Sequence, residues 1–430
     1  MSKLEIYLSL VPLPVIILAG TVYLGIILMI PARYRLQATL AFTVIWLATN
    51  KLIDLRTIQP LAKTTAFAGY MAIAMAAILN PGPKRRMPIV VWLYPIMASI
   101  GFIYILRSRE GLLDIIIRFQ WLMLVFAAIL LVRTITDNNA LMRVINGLAV
   151  GYLITTLILL SALILDPRGA YITGVGRFAP YGGNANQTGL MLSQAGFFAF
   201  YMAFRGQAKW MKPVFLGMSG LAVGLALLTG SRSVVFATAF PVLPLVTSMA
   251  RRPVVATLGI VIISVVLLWL FQLGEQSRLE RLGSLESARY EQWRLYMQVV
   301  KKRPLFGLLT APGLSSRNAP CCHFHPHNAY IELLYVGGLS YGLPMFMLII
   351  ISLGYSFYIF KHRKLLPTDP VLISCLSLLL LTVYVHGFVN GIIYSPTYAW
   401  SVIHVFLSVL MISLGVDMSK YVKSLRGQAY

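Results

Sequence analysis

Leu334–Phe360 reads LYVGGLSYGLPMFMLIIISLGYSFYIF, 27 residues without a charged side chain. A bilayer core about 30 Å thick is crossed by roughly 20 apolar residues in a helix, so this run is long enough to span a membrane. The same ruler finds further apolar runs near 7–30, 64–80, 87–106, 113–132, 141–165, 186–204, 213–229, 233–249, 254–273, 369–389 and 391–416. The expected fold is all-α: a polytopic membrane protein with about twelve transmembrane helices, one integral membrane domain over 1–430 and one long external loop. Segment 36–50 is shorter and flanked by Arg33, Arg35, Lys51 and Arg56; it is read as an interfacial piece rather than a thirteenth crossing. Residues 1–30 lack a small-residue cleavage site after their apolar run and are read as a retained anchor.

Composition points the same way. With 58% hydrophobic and 11% charged residues and a mean hydropathy of +0.79, apolar surface would exceed any core a water-soluble globule of 430 residues could build. The 36 Lys and Arg against 13 Asp and Glu give +23. In a membrane protein such an excess is expected from cytoplasmic loops that retain their cations during insertion, so it does not indicate nucleic acid. Three cysteines exclude a disulfide framework, although Cys321 and Cys322 are adjacent in a loop that can lie in an oxidising compartment.

Charge sets the orientation. Lys84-Arg85-Arg86, Arg205 with Lys209 and Lys212, Arg251-Arg252, Lys361-His362-Arg363-Lys364, and Lys420 with Lys423 and Arg426 fall on one side when the runs are counted as spans. By the positive-inside rule that side is the cytoplasm, with both termini there. The loop at 274–327, the loop near 166–185 and the tight connection Thr229-Gly230-Ser231-Arg232 then share the outer face. The 274–327 loop carries Arg278, Arg281, Arg289, Arg294, Lys301, Lys302, Arg303 and Arg317 against Glu275, Glu280, Glu286 and Glu291. That basic excess runs against the insertion preference, which suggests a task for the cations. Within the loop, Glu286–Val300 predicts a short amphipathic helix with Ala288, Trp293, Met297 and Val300 near one face, ended by Pro304-Leu305-Phe306-Gly307.

Polar chemistry gathers where this loop meets the quoted run, at Cys321-Cys322-His323-Phe324-His325-Pro326-His327-Asn328. His327 has two readings. A histidine titrates near neutrality, so with Glu332 about one helical turn further on it can serve as a general base; or it caps the helix at the interface. Arg232, between two apolar runs, either meets lipid headgroups or pairs with an anion; with Arg289 it would form a guanidinium clamp suited to a lipid-linked pyrophosphate. Asn184 and Asn186, in Gly182-Gly183-Asn184-Ala185-Asn186, are helix caps or donors to an anion or sugar at a helix start. Cys321, Cys322, His323, His325 and His327 are potential Zn or Cu ligands, but alternate-residue histidines around Pro326 are no standard site, and no metal is expected. His386, Asn390 and His404 are read as packing or cavity groups.

The motifs between Arg177 and Gly342 resemble the O-antigen ligase and polymerase superfamily of bacterial envelope glycosyltransferases. The ligase signature is His, then Asn, Ser or Gln, nine residues, Gly, two residues, and Gly, Thr or Tyr. It is met by His327-Asn328, residues 329–337, Gly338, Leu339-Ser340 and Tyr341. Gly182-Gly183-Asn184-Ala185-Asn186, Gly230-Ser231-Arg232, and Arg289 followed by Trp293 and Pro304-Leu305-Phe306-Gly307 occur in the family's order. The resemblance implies metal-independent, inverting transfer of a glycan from undecaprenyl pyrophosphate to a lipid A-core sugar, on the periplasmic face of the bacterial inner membrane and without a cofactor. Arg289 and Arg232 would hold the pyrophosphate, His327 would activate the acceptor, Asn328 and Glu332 would orient, and Arg278, Arg281, Asn184 and Asn186 would bind substrate. The partners implied are that donor, the lipid A-core acceptor and membrane lipids.

Two alternatives remain. The polymerases of the superfamily often carry Arg, ten residues, Gly in two outer loops; here Gly189 and Gly313 each miss that distance from Arg177 and Arg303 by one residue, which favours the ligase. A flippase or other transporter fits the number of spans, but repeated halves and ionisable groups near the midplane are not evident.

Overall fold

The computed structural model describes residues 12–50, 52, 54, 58–107, 112–173, 176–205, 209–249, 290–308, 327–388 and 399–427. The described residues form helices joined by short turns, with one isolated bridge between Tyr171 and Phe178 and no strand. The helices are α1 (Leu13–Met29), α2 (Ala32–Thr49), α3 (Ile58–Ile78), α4 (Leu93–Arg107), α5 (Leu112–Arg133), α6 (Asn138–Leu165), α7 (Ala185–Arg205), α8 (Lys212–Leu228), α9 (Arg232–Met249), α10 (290–302), α11 (Ala329–His362), α12 (Pro370–Gly387) and α13 (Ala399–Gly427). A helix lies within each apolar run except 254–273, which falls outside the described residues. Six segments are long and apolar enough to cross a membrane: Ile89–Arg107, Ile115–Arg133, Asn138–Leu165, Ala329–Leu365, Pro370–Gly387 and Ala399–Leu425. Pro14–Met29, Thr65–Ile78, Lys212–Leu228 and Phe236–Met249 are shorter apolar helices. The protein is an α-helical membrane protein.

The chain divides into two compact units, Met1–Arg85 with Leu130–Val265 and Pro367–Leu379, and Arg86–Ile129 with Val266–Leu366 and Leu380–Tyr430. In the first unit, backbones approach closely where glycine removes the side chain. A Cβ on Gly147 of α6 would stand 2.8 Å from the Gln37 carbonyl oxygen, and one on Gly151 2.7 Å from that of Ala41, so α6 lies backbone to backbone on α2. This is small-residue packing, the means by which membrane helices associate when burial from water supplies little drive. Segment 36–50, expected as an interfacial piece, belongs to an 18-residue helix with Leu36, Leu40, Val44 and Leu47 buried within the unit, and it is not among the segments long and apolar enough to cross a membrane. Gly151→Val should lower stability by about 1–3 kcal/mol through overpacking. Gly217, around which a Cβ meets nothing within 4 Å, should accept alanine without loss. Thermal unfolding in detergent would distinguish the two.

In the second unit, α13 is the inner helix, with Ser401, His404, Ser408 and Ser413 all buried. Ser408 is satisfied by hydroxyl pairing: Tyr384 bonds Ser408 at 3.2 Å and Ser352 at 2.7 Å, Tyr94 meets Ser408, and the Tyr330 hydroxyl donates to the Tyr384 carbonyl at 2.6 Å. Pairing of this kind is required where no water reaches. His386 and His404 are buried against Trp400 and Tyr384, with ring centroids 5.9 and 5.2 Å apart.

Candidate functional site

The second unit carries His327, Asn328 and Glu332. Asn328 is the N-cap of α11: its Oδ1 accepts from the backbone N–H of Tyr330 at 3.0 Å and of Ile331 at 3.1 Å. An asparagine in extended backbone does this because its short amide oxygen reaches donors that the first helical turn leaves unbonded. His327, immediately before the cap, is exposed and has φ 48°, the left-handed region that most side chains avoid. Glu332, in the first turn, is buried, at 1% exposure. The cap is therefore asparagine's, and the histidine stands outside it. Asn328→Ala should cost about 1 kcal/mol, and Asn328→Asp should retain most of it; the midpoint of thermal unfolding reports both.

Ten residues further on, α11 breaks. Gly338 has φ 62° and ψ −160°, a conformation that glycine alone adopts readily. Into the break fits the turn that ends α10: Leu339 N–H donates to the Pro304 carbonyl at 2.7 Å, Ser340 N–H to that of Leu305 at 3.0 Å, and Leu308 N–H to that of Tyr335 at 2.9 Å. Gly307, also at positive φ, faces Gly338; a Cβ there would lie 2.6 Å from the Gly338 nitrogen and the Tyr335 oxygen. Helix α10 packs beside the break through buried Tyr296 and Val300 against Tyr335 and Val336, the two tyrosine rings meeting edge-on at 4.7 Å. Of the apolar face expected at Ala288, Trp293, Met297 and Val300, Val300 is buried and Met297 packs against the cluster, and Tyr296 joins them because Tyr335 receives its ring; Ala288 lies outside the described residues. Lys301, Lys302 and Arg303, at the end of α10, are exposed. Arg289 precedes α10 in sequence and, with Arg278 and Arg281, lies outside the described residues.

The first unit carries the other candidates. Asn184 caps α7, accepting from the N–H of Asn186 at 3.0 Å and of Gln187 at 3.3 Å. Asn186 is held by Arg177, whose Nη2 donates to Asn186 Oδ1 at 2.7 Å while its Nε donates to the Thr229 carbonyl at 2.7 Å. Phe178 N–H reaches the Leu228 carbonyl at 2.9 Å. Arg177, considered in the sequence only as the start of a spacing pattern, thereby ties the start of α7 to the turn Thr229-Gly230-Ser231. Gly230 has φ 60°, and Arg232 is the first residue of α9; its side chain lies outside the described set. The starts of α7 and α9 thus meet at one arginine-tied loop, with the first N–H groups of α7 already satisfied by Asn184.

Arg118 is the residue that sequence reasoning passed over. It sits inside the membrane-length segment Ile115–Arg133 at 2% exposure. Its guanidinium carbon lies 5.7 Å from the ring centroid of Tyr341, the last residue of the His327–Tyr341 pattern. Gly101 makes room for both: a Cβ there would come within 3.2 Å of Tyr341 Cε2 and 3.5 Å of Arg118 Nη1. The available signal was a lone cation in an otherwise apolar run, which marks a functional candidate by default. Among the described residues no group of three His, Cys, Asp or Glu could hold a metal; Cys321, Cys322, His323 and His325 lie outside them. A scan against protein-family models finds none that matches the chain, and a search of curated proteins finds no match either.

Proposed function

We propose that the chain transfers a glycan from undecaprenyl pyrophosphate to a sugar hydroxyl of the lipid A core, as the resemblance to the O-antigen ligases implies. One observation supports the reading: Tyr335, Leu339 and Ser340, within the stretch from His327 to Tyr341, hydrogen-bond to the turn Pro304–Leu308 at the Gly338 break.

In this reading the exposed His327 imidazole takes the proton of the acceptor hydroxyl as that oxygen attacks the anomeric carbon of the donor. The bond from that carbon to the pyrophosphate oxygen breaks, and undecaprenyl pyrophosphate leaves with the electron pair while the configuration inverts. Arg289 and Arg232, with Arg278 and Arg281, supply the positive charge that the departing pyrophosphate requires. Asn328, Glu332, Asn184 and Asn186 orient the substrates. The finer topology belongs to the same proposal: about twelve spans, both termini in the cytoplasm, and the 274–327 loop in the periplasm beside the inner membrane.

The test is an in vitro reaction of purified protein with lipid-linked glycan and rough lipopolysaccharide. The expected product is lipopolysaccharide bearing the long glycan. Extension of the lipid-linked chain instead would make the protein the polymerase, and movement of the lipid across liposomes with no new glycosidic bond would make it a transporter.

A further inference from the structure

A helix broken at one residue can swing about it. The bonds from Leu339 and Ser340 N–H to the Pro304 and Leu305 carbonyls therefore form only while the part of α11 beyond Gly338 keeps one direction. The contacts that can hold that direction come from α4 and α5, and they fall on Ser340 and Tyr341, the second and third residues after the break.

Arg118 of α5 makes the first contact. It is 2% exposed and Tyr341 is 1% exposed, with the guanidinium carbon 5.7 Å from the ring centroid. Burying a cation in a membrane-length apolar segment is costly, so its surroundings have to compensate the charge. A tyrosine face is an apolar surface that does so, and the attraction grows as water is removed. Gly101 of α4 completes the fit. A Cβ there would stand 3.2 Å from Tyr341 Cε2, 3.5 Å from its hydroxyl oxygen and 3.5 Å from Arg118 Nη1, so α4, α5 and α11 meet around this pair. Tyr104, one turn further along α4, makes the second contact. Its hydroxyl lies 3.2 Å from Ser340 Oγ, which itself donates to the Gly337 carbonyl at 3.1 Å. The Tyr104 ring also meets Phe306 edge-on, with centroids 6.3 Å apart. Tyr104 thus touches both the helix beyond the break and the turn docked into it.

We propose that Arg118 is a positioning residue: its guanidinium, acting through the Tyr341 ring and assisted by Tyr104, clamps α11 beyond Gly338 in the one direction that accepts the 304–308 turn. The three residues form a device distinct from the groups assigned to the chemistry, since none of them need touch substrate. The proposal rests on the function above only in linking the docked turn to glycan transfer.

The test compares Arg118→Met, which keeps the bulk and removes the charge, with Arg118→Lys, which keeps a cation for the ring. The readout is trypsin cleavage after Lys301, Lys302 or Arg303 in the full-length protein in detergent, with fragments identified by mass. Arg118→Met should be cleaved about tenfold faster than wild type, the weight of one desolvated cation–ring contact. Arg118→Lys should recover most of the protection. Tyr341→Leu should behave as Arg118→Met does, and the double variant should be cleaved no faster than the faster single one, because both changes remove the same contact. Full protection in Arg118→Met, a lysine variant no better than methionine, or a double variant that multiplies the two single effects would each overturn the proposal. Tyr104→Leu removes the other contact from a half-buried position and should raise cleavage in the same direction, which keeps the test decisive should Arg118→Met fold poorly; no rise there would overturn the part given to Tyr104. In the transfer reaction, kcat should fall with protection and return with lysine. Protection is read without substrate. A wild type that protects the turn and transfers nothing would therefore overturn the enzymatic reading alone, and an Arg118→Met variant that keeps both protection and transfer would overturn the clamp alone.

Discussion

His327→Asn is expected to lower glycan transfer by about 10²–10⁴-fold, the usual contribution of a general base, while the protein remains inserted and folded. Asparagine is the replacement of choice because His327 has φ 48°. Asparagine tolerates left-handed backbone better than alanine does, yet its amide cannot take a proton near neutrality. The side chain is exposed, so little packing is lost, and the Asn328 cap that starts α11 does not involve it. His327→Gly should relieve the backbone strain, raising the unfolding temperature slightly, and should be as inactive as His327→Asn. Full transfer by either variant would remove His327 from the chemistry and leave it a surface residue beside the cap.

What the sequence made legible follows from which forces act locally. Hydropathy alone located the described helices, since a run such as Leu334–Phe360 has no alternative to burial in a membrane. Amphipathic spacing and Pro304 likewise located α10 and its end. Features that depend on pairing between distant segments were not legible. Segment 36–50 was read from its length and flanking cations alone; its close packing against α6 depends on Gly147 and Gly151, about a hundred residues away. The rotation of α10 about its axis was missed by one position, because the partner that selects Tyr296 is Tyr335 on another helix. For the site, the pattern from His327 to Tyr341 could be read residue by residue, but not that its glycine is a docking point for Pro304–Gly307. Arg118 was visible as a cation in an apolar run, and only the fold supplies its neighbour Tyr341.

Gly338→Ala is expected to separate α10 from α11 and to stop transfer without touching His327. Any side chain at this position meets two obstacles. The backbone at φ 62°, ψ −160° costs a non-glycine residue about 1–3 kcal/mol. In addition the new Cβ would stand 2.4 Å from the Leu305 carbonyl carbon and 2.5 Å from the Phe306 nitrogen, backbone atoms that cannot rotate away. The cheaper escape is for α11 to straighten and expel the turn, which forfeits the bonds from Leu339, Ser340 and Leu308 at about 1 kcal/mol each. Once expelled, the turn no longer holds α10, and the cations on that helix lose their relation to the start of α11. Trypsin should then cleave quickly after Lys301, Lys302 or Arg303, which are already exposed, and transfer should fall with the same dependence on substitution. Gly354→Ala, on the same helix with no atom within 4 Å of its Cβ, should change neither. If Gly338→Ala retained both protease resistance and transfer, the docked turn would be incidental to activity. If it lost protease resistance alone, the loop cations could not be the groups that hold the pyrophosphate, and that role would pass to the arginines of the helical spans, with buried Arg118 the first to test.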